Sequence, residues 1–390
     1  MRRLLIRSGK VPFAAISPEQ TLARNVIGTN SGNLAFSYAT HRILQTPDTE
    51  LVSNGFKVLV SEAGRINEEY GVDRGTRRVH VGVAAAHSLD AVDVIRCPSM
   101  FMYGPNFRVE KKIPALDRDC KIAINISTYV KRMARLALDT RDRYPKMMYV
   151  AQDIASLELM RWGHNYKRKA SDPAKLVSSA NPLYREDRMR FFVDPWTWFQ
   201  YLSEFDFSFG TRIHGNISSL LAGTPAVVLA HDSRTLELAR YHRIPHRLIS
   251  ELPADVDPAD LYAEADFTEF NDGQRARFEA FADFLHRNDL EHSFGDPETT
   301  AAFDTRVAEV EFPGPVRPLP HMGHAELAER VEWLYGRMAS LDKDKRVSDI
   351  SKKQASTGRA GTATQQSGEP PRRRAAPLCR LARKLLSGKG

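Results

Sequence analysis

The chain has 390 residues, 42% hydrophobic and 9% aromatic, and a formal net charge of +8. That length and composition describe a globular protein with more than one core, and exclude collagen-like and wholly disordered classes. Most of the charge sits at one end: residues 341–390 hold 13 Lys and Arg against 4 Asp and Glu, which leaves the other 340 residues at −1. A basic fold that grips nucleic acid is therefore not expected. Cys97, Cys120 and Cys379 show neither paired spacing nor neighbouring histidines, which argues against a disulfide framework and a zinc site. The opening Met-Arg-Arg-Leu-Leu-Ile-Arg has too short an apolar run for a signal peptide, and no stretch approaches the ~18 apolar residues of a membrane span, so a cytoplasmic protein is expected.

Taken in chain order, the elements suggest two α/β lobes. Residues 1–145 read as an N-terminal lobe, shortened and irregular between Phe56 and Ile95. Within it, the turn-forming cluster Asn25–Asn33 precedes a helical pattern at Leu34, Tyr38 and Leu44. Lys121–Ser127 alternates as a strand does, and Tyr129–Arg141 reads as a basic helix or linker crossing between lobes. Residues 146–340 read as the second lobe. It begins with a strand at Met147–Val150 leading to Gln152-Asp153, then a helix at Ala155–Trp162. Asp194 as cap and Pro195 at the first helical position predict a helix over 195–202.

The clearest unit follows. Phe205–Phe209 is an apolar strand, Thr211–His214 a turn, Gly215–Leu221 a helix closed by Gly223, and Pro225–Ala230 a second buried strand. Strand, helix and strand in that order imply a parallel sheet, whose ligands bind beyond the carboxyl ends of its strands. A helix from His324 to Met338 ends the second lobe. Residues 341–376 read as a disordered polar linker. Residues 377–390 place Leu378, Leu381, Ala382, Leu385 and Leu386 at helical spacing among Arg380, Arg383, Lys384 and Lys389. That last pattern fits either an interfacial helix on an anionic membrane or a plain basic tail.

Chemistry is expected at the Thr211–His214 turn. Arg212 and the free N–H groups of a helix start favour a phosphate or carboxylate. His214, beside a cation and a helix N-terminus, is expected to have a lowered pKa and to serve as a general base. Gly215 would let the backbone approach a ligand closely. Arg234, at the end of the next strand, would supply a second cation. Taken alone, an Arg-x-His is more often a helix cap and a surface ion pair, and it is the surrounding strand–helix–strand pattern that favours a site. Asp117-x-Asp119 matches a metal–nucleotide pattern that is common by chance, and no metal is expected.

The run Gly210-Thr211-Arg212-Ile213-His214-Gly215, with Leu221-Ala222-Gly223-Thr224-Pro225 and Asp232-x-Arg234, resembles the signature of the polysaccharide pyruvyl transferase family. Gln152-Asp153, Cys97-Pro98-Ser99 and Asn30-x-Gly32-Asn33 are similar to further landmarks of that family. The resemblance spans roughly residues 20–250 and is most specific over 205–240. It implies two Rossmann-like lobes of the GT-B glycosyltransferase architecture. Phosphoenolpyruvate would be the donor substrate in the cleft, with no separate cofactor, and a glycan or lipid-linked sugar the acceptor. His214 and Arg212 fall on the family's catalytic motif. Arg234 stands where a lysine is usual, and Arg96 where a glycine is usual. Thr211, Gly215, Asn30, Asn33 and Gln152 are implied as substrate-binding. The alternatives are a nucleotide-sugar glycosyltransferase of the same architecture and a non-catalytic relative that binds glycan or membrane.

Overall fold

The computed structural model describes residues 2–5, 12–24, 26–28, 30–47, 49–53, 95, 97–164, 172–253 and 255–339. The expected linker at 341–376, the basic tail at 377–390, Arg96 and all of 54–94 lie outside them. The chain forms two units, Met1–Leu327 and Ala328–Gly390.

The first unit begins with strand β1 (Arg2–Leu5), helix α1 (Pro18–Arg24), helix α2 (Gly32–Leu44) and strand β2 (Glu50–Ser53). β1 and β2 pair in parallel as a two-stranded sheet. α2 is the helix expected after the Asn-rich turn, and it buries Leu34, Tyr38 and Leu44.

The main sheet follows: β3 (Ile122–Asn125), α3 (Lys131–Arg143), β4 (Met148–Ala151), α4 (Ile154–Trp162), β5 (Met189–Phe191), α5 (Pro195–Ser203), β6 (Phe207–Gly210), α6 (Ile213–Leu221), β7 (Ala226–Ala230), α7 (Ser233–His242) and β8 (His246–Leu248). Its six strands run parallel in the order β5-β4-β3-β6-β7-β8. Numbered from β3, that is 3-2-1-4-5-6, the order of a Rossmann-type doubly wound sheet. The order reverses between β3 and β6, where Asn125 is in register with Gly210. β3 and α3 precede the lobe boundary expected near 145, yet β3 is central in this sheet and is a partner of the motif strand.

The apolar strands form because every residue of β3, β6 and β7 is buried, as parallel strands covered on both faces must be. Phe207, Phe209, Ile124, Val228 and Leu229 join the large core, while Val150, Phe192, Trp198 and Phe205 build a second cluster. Burying each large side chain contributes about 1.5–3 kcal/mol against its entropy cost. α5 starts as expected, with the Asp194 carboxylate accepting from Trp196 N–H at 2.7 Å and Pro195 in the first turn.

Helices α8 (Gln274–Arg287) and α9 (Pro297–Ala308) return to the α2 side, where Arg42 of α2 pairs with Asp304 at 2.7 Å. Arg161 of α4, buried, bonds Glu19 of α1 and, at 2.5 Å, Glu326. A helix covers residues 324–339. In the second unit its Val331, Leu334, Tyr335 and Met338 are exposed. Among the described residues no helix is long and apolar enough to cross a membrane.

Candidate active site

The carboxyl ends of β3, β4, β6 and β7 carry Asn125, Gln152-Asp153, Thr211–His214 and His231–Arg234. The start of α2 and the turn at Cys97–Ser99 close on the same place, which is the crevice at the switch in strand order.

The Thr211–Arg212 turn is anchored on β3. Thr211 N–H donates to Asn125 O at 2.8 Å, and Arg212 N–H to Asn125 Oδ1 at 3.2 Å. Thr211 Oγ1 accepts from Ser127 N–H at 2.7 Å. The Asn125 amide also donates to Asn216 Oδ1 at 3.1 Å, and Asn216 returns a bond to Gly210 O at 2.9 Å. Thr211, at 1% exposure, thus holds β3 to the turn rather than pointing into open space. Asn125 and Asn216 are unmarked in the sequence. The available signal is the position of Asn125 at the end of an alternating strand.

α6 begins at this turn without a side-chain cap, since its first flanking residue is Arg212. Its opening N–H groups therefore donate to no capping side chain at Arg212. Arg212 itself is ion-paired with Asp153, and the two side chains are 13% and 19% exposed. Its guanidinium also lies 5.7 Å from the ring centre of Tyr129. The expectation of a freely available cation at 212 is thereby modified, because its charge is met by Asp153. Asp153 precedes α4 but does not cap it, its carboxylate being turned to Arg212. Arg234 is exposed, and no ion pair holds it among the described residues.

His214, in the first turn of α6, is half-buried. Its Nε2 is 3.7 Å from Cys97 Sγ, and its ring lies 6.0 Å from that of Phe36. Burial first, and then the nearby Arg234 cation, push its pKa down to about 4. The imidazole is therefore neutral at neutral pH and available as a proton acceptor. Burial raises the Cys97 thiol, which donates to Ser99 Oγ at 3.4 Å. A side chain at Gly32 would put its Cβ 2.8 Å from His214 Cβ, so only glycine there lets α2 pack against the imidazole.

Gly215 serves a different end from the one expected. A Cβ there would collide with the Gln152 amide and come within 2.7 Å of the Asn125 side chain, so its bareness admits protein groups rather than a ligand. Gln152 is 1% exposed, with neither end of its amide hydrogen-bonded among the described residues, and lies between Gly32 and Gly215. Its backbone O accepts from Ser31 N–H at 2.9 Å. Asn30 and Asn33 shape the entry to α2: Asn30 Oδ1 accepts from Gly32 N–H at 2.8 Å, and the Asn33 amide donates to Ile27 O at 3.1 Å. The Asp117-x-Asp119 pair makes a local turn, with Asp117 Oδ1 accepting from Asp119 N–H at 2.8 Å.

The polysaccharide pyruvyl transferase family model matches residues 129–233. No curated protein matches the chain. Among solved structures, the glycotransferase of kitacinnamycin is similar at 15% identity and a TM-score of 0.27, over 46% of this chain and 47% of that one, so the chain spans about half of that protein's length. From the loop at Tyr129 to the first residue of α7, with the Arg212–His214 turn inside it, this chain carries the polysaccharide pyruvyl transferase match that the motif resemblance implied.

Proposed function

We propose that the chain is a pyruvyl transferase that moves the enolpyruvyl unit of phosphoenolpyruvate onto two hydroxyls of a glycan or lipid-linked sugar, forming a ketal. The observation that carries this reading is the meeting of an uncapped helix start, an exposed arginine that no ion pair holds among the described residues and a neutral imidazole at the switch point of the sheet, all but Arg234 within the family match. The two-lobed GT-B arrangement belongs to the same reading; the parallel β1–β2 pair would open the first lobe.

The donor carries a phosphate and a carboxylate. The N–H groups at the start of α6 and the Arg234 guanidinium favour such anions. Arg212, oriented by Asp153 and Tyr129, presents its remaining N–H donors in a fixed direction. In the reaction the methylene carbon gains a proton, two hydroxyl oxygens bond the central carbon, and its bond to the phosphate oxygen breaks. Of the two hydroxyl protons released, one balances the new methyl group and the other leaves with phosphate. Neutral His214 accepts a hydroxyl proton. Its low pKa makes the protonated ring a strong enough acid to pass that proton on. Cationic groups stabilise the charge that develops on the departing phosphate. Gln152, Asn30, Asn33, Thr211 and Gly215 support this site by shaping the crevice wall.

The test is phosphate release from phosphoenolpyruvate with a panel of lipid-linked and free glycans, alongside His214→Ala. Turnover that His214→Ala abolishes supports the reading. Thermal stabilisation by a sugar nucleotide but not by phosphoenolpyruvate would overturn it in favour of glycosyl transfer. If the His214→Ala chain retains all of the wild-type's ligand binding and the wild type releases no phosphate, the protein is a non-catalytic binder. Association with anionic membrane through residues 377–390 is a separable part of the proposal, tested by sedimentation with phosphatidylglycerol vesicles with and without that segment.

A further inference from the structure

Tyr129 stands apart from the other aromatic residues of the crevice. It lies in the loop directly after β3 and is 60% exposed. An isolated exposed aromatic is ordinary on a protein surface. This one is fixed from several sides. Its Oη is 2.8 Å from His231 Nε2, and the two rings are 5.5 Å apart. His231 Nε2 is in turn 3.2 Å from the Asp232 carboxylate, which is itself held by Thr235 N–H at 2.7 Å. The Arg212 guanidinium lies 5.7 Å from the Tyr129 ring centre. The loop is braced at its base by the Ser127–Thr211 bond and by Val130 N–H donating to Ser127 O at 3.1 Å. A large apolar ring is therefore held rigidly at the mouth of the site, against the motif arginine, with most of its surface open.

A pyranose ring presents a patch of C–H groups with partial positive charge on one face and hydroxyls around its edge. The negative face of an aromatic ring meets such a patch favourably, and a pinned two-torsion side chain loses little entropy in doing so. We propose that Tyr129 is the platform on which the acceptor's hexopyranose ring stacks, with His231 and Asp232 holding the tyrosine in place. The platform sets the sugar beside Arg212 and so brings its hydroxyl edge toward His214. The proposal rests on the reading that the acceptor is a glycan.

The test uses the full chain and two methyl hexosides, methyl galactopyranoside and methyl mannopyranoside, chosen because each carries a cis diol. Saturation-transfer NMR reads their binding without donor or turnover. At least one hexoside is expected to bind the wild type. Tyr129→Ala should weaken it about tenfold, Tyr129→Phe should restore most of the affinity, and the melting temperature should stay within a few degrees because the ring is exposed. His231→Ala should fall between Tyr129→Ala and Tyr129→Phe. No hexoside binding to the wild type, or equal binding by wild type and Tyr129→Ala, would overturn the platform. In turnover, Tyr129→Ala should raise KM for the acceptor and leave KM for phosphoenolpyruvate within about twofold; a rise in the donor KM alone counts against it. Hexoside binding that depends on Tyr129 in a protein that releases no phosphate would leave the platform standing and remove the pyruvyl reading instead.

Discussion

Two neighbouring strand-to-helix turns at the same edge of the sheet are built in opposite ways. Where β7 passes into α7, the Asp232 carboxylate caps the helix by accepting from Thr235 N–H at 2.7 Å. Where β6 passes into α6, the flanking residue is Arg212, no side chain caps the helix, and the Asp153 that could have capped α4 is turned to Arg212. The helix start at the first turn is capped from within its own turn. The second has no cap from its flanking residue and depends on a neighbouring strand, through Asp153, to orient its cation, which is the arrangement the proposed donor site draws on.

The difference can be broken from either side. The largest effect is expected from His214→Ala, which should cut phosphate release by about 10²–10⁴-fold while the melting temperature stays close to wild type. Asp153→Ala leaves the Arg212 guanidinium without its carboxylate in a mostly enclosed place. We expect it to cost about 3 kcal/mol in denaturant unfolding, and to weaken donor discrimination because Arg212 loses its orientation. Asp232→Ala should cost about 1 kcal/mol by the same measurement, the ordinary loss of a helix cap, with donor KM unchanged. A loss of donor affinity in Asp232→Ala equal to that of Asp153→Ala would erase the contrast between the turns.

The titration of His214 gives the finest test. Its folded-state pKa lies near 4, below the usual histidine value. Between about pH 6.5 and pH 4 the unfolded chain therefore binds a proton that the folded protein refuses, so stability contributed here falls as pH falls through that window. The imidazole carbon-bound proton signals of His214 should stay at their neutral positions from pH 7.5 down to pH 5. Arg234→Gln should move the midpoint upward, because it removes the second cause of the depression. An unchanged midpoint would take Arg234 out of the site's electrostatics.

Much of the scaffold around the motif was legible in the residues. The alternating Lys121–Ser127 run, the Asp194-Pro195 helix start and the strand–helix–strand around Arg212 all stand close to where periodicity and capping place them. These signals are local, and local geometry repeats with the chain. The neighbours of β3 are not legible: Tyr129–Arg141 reads as a basic helix or linker crossing between lobes, because a basic helix gives no sign of the sheet face it covers. Within the site, Arg212 and His214 could be singled out, but not the pairing of Arg212 with Asp153 or the contact of His214 with Cys97, which join residues 59 and 117 positions apart.

The sequence by itself determined which residue types stand at the turn, where the strands and helices begin, and that the excess positive charge belongs to the last 50 residues. Those follow from spacing, caps and counting. Only the tertiary structure decided that β3 lies beside β6, that Gly32 and Gly215 are bare to admit His214 and Gln152, and that Tyr129 stands pinned at the crevice mouth. The reason is physical: strand order and side-chain burial are settled by packing between distant segments, and no single stretch of chain carries that energy alone.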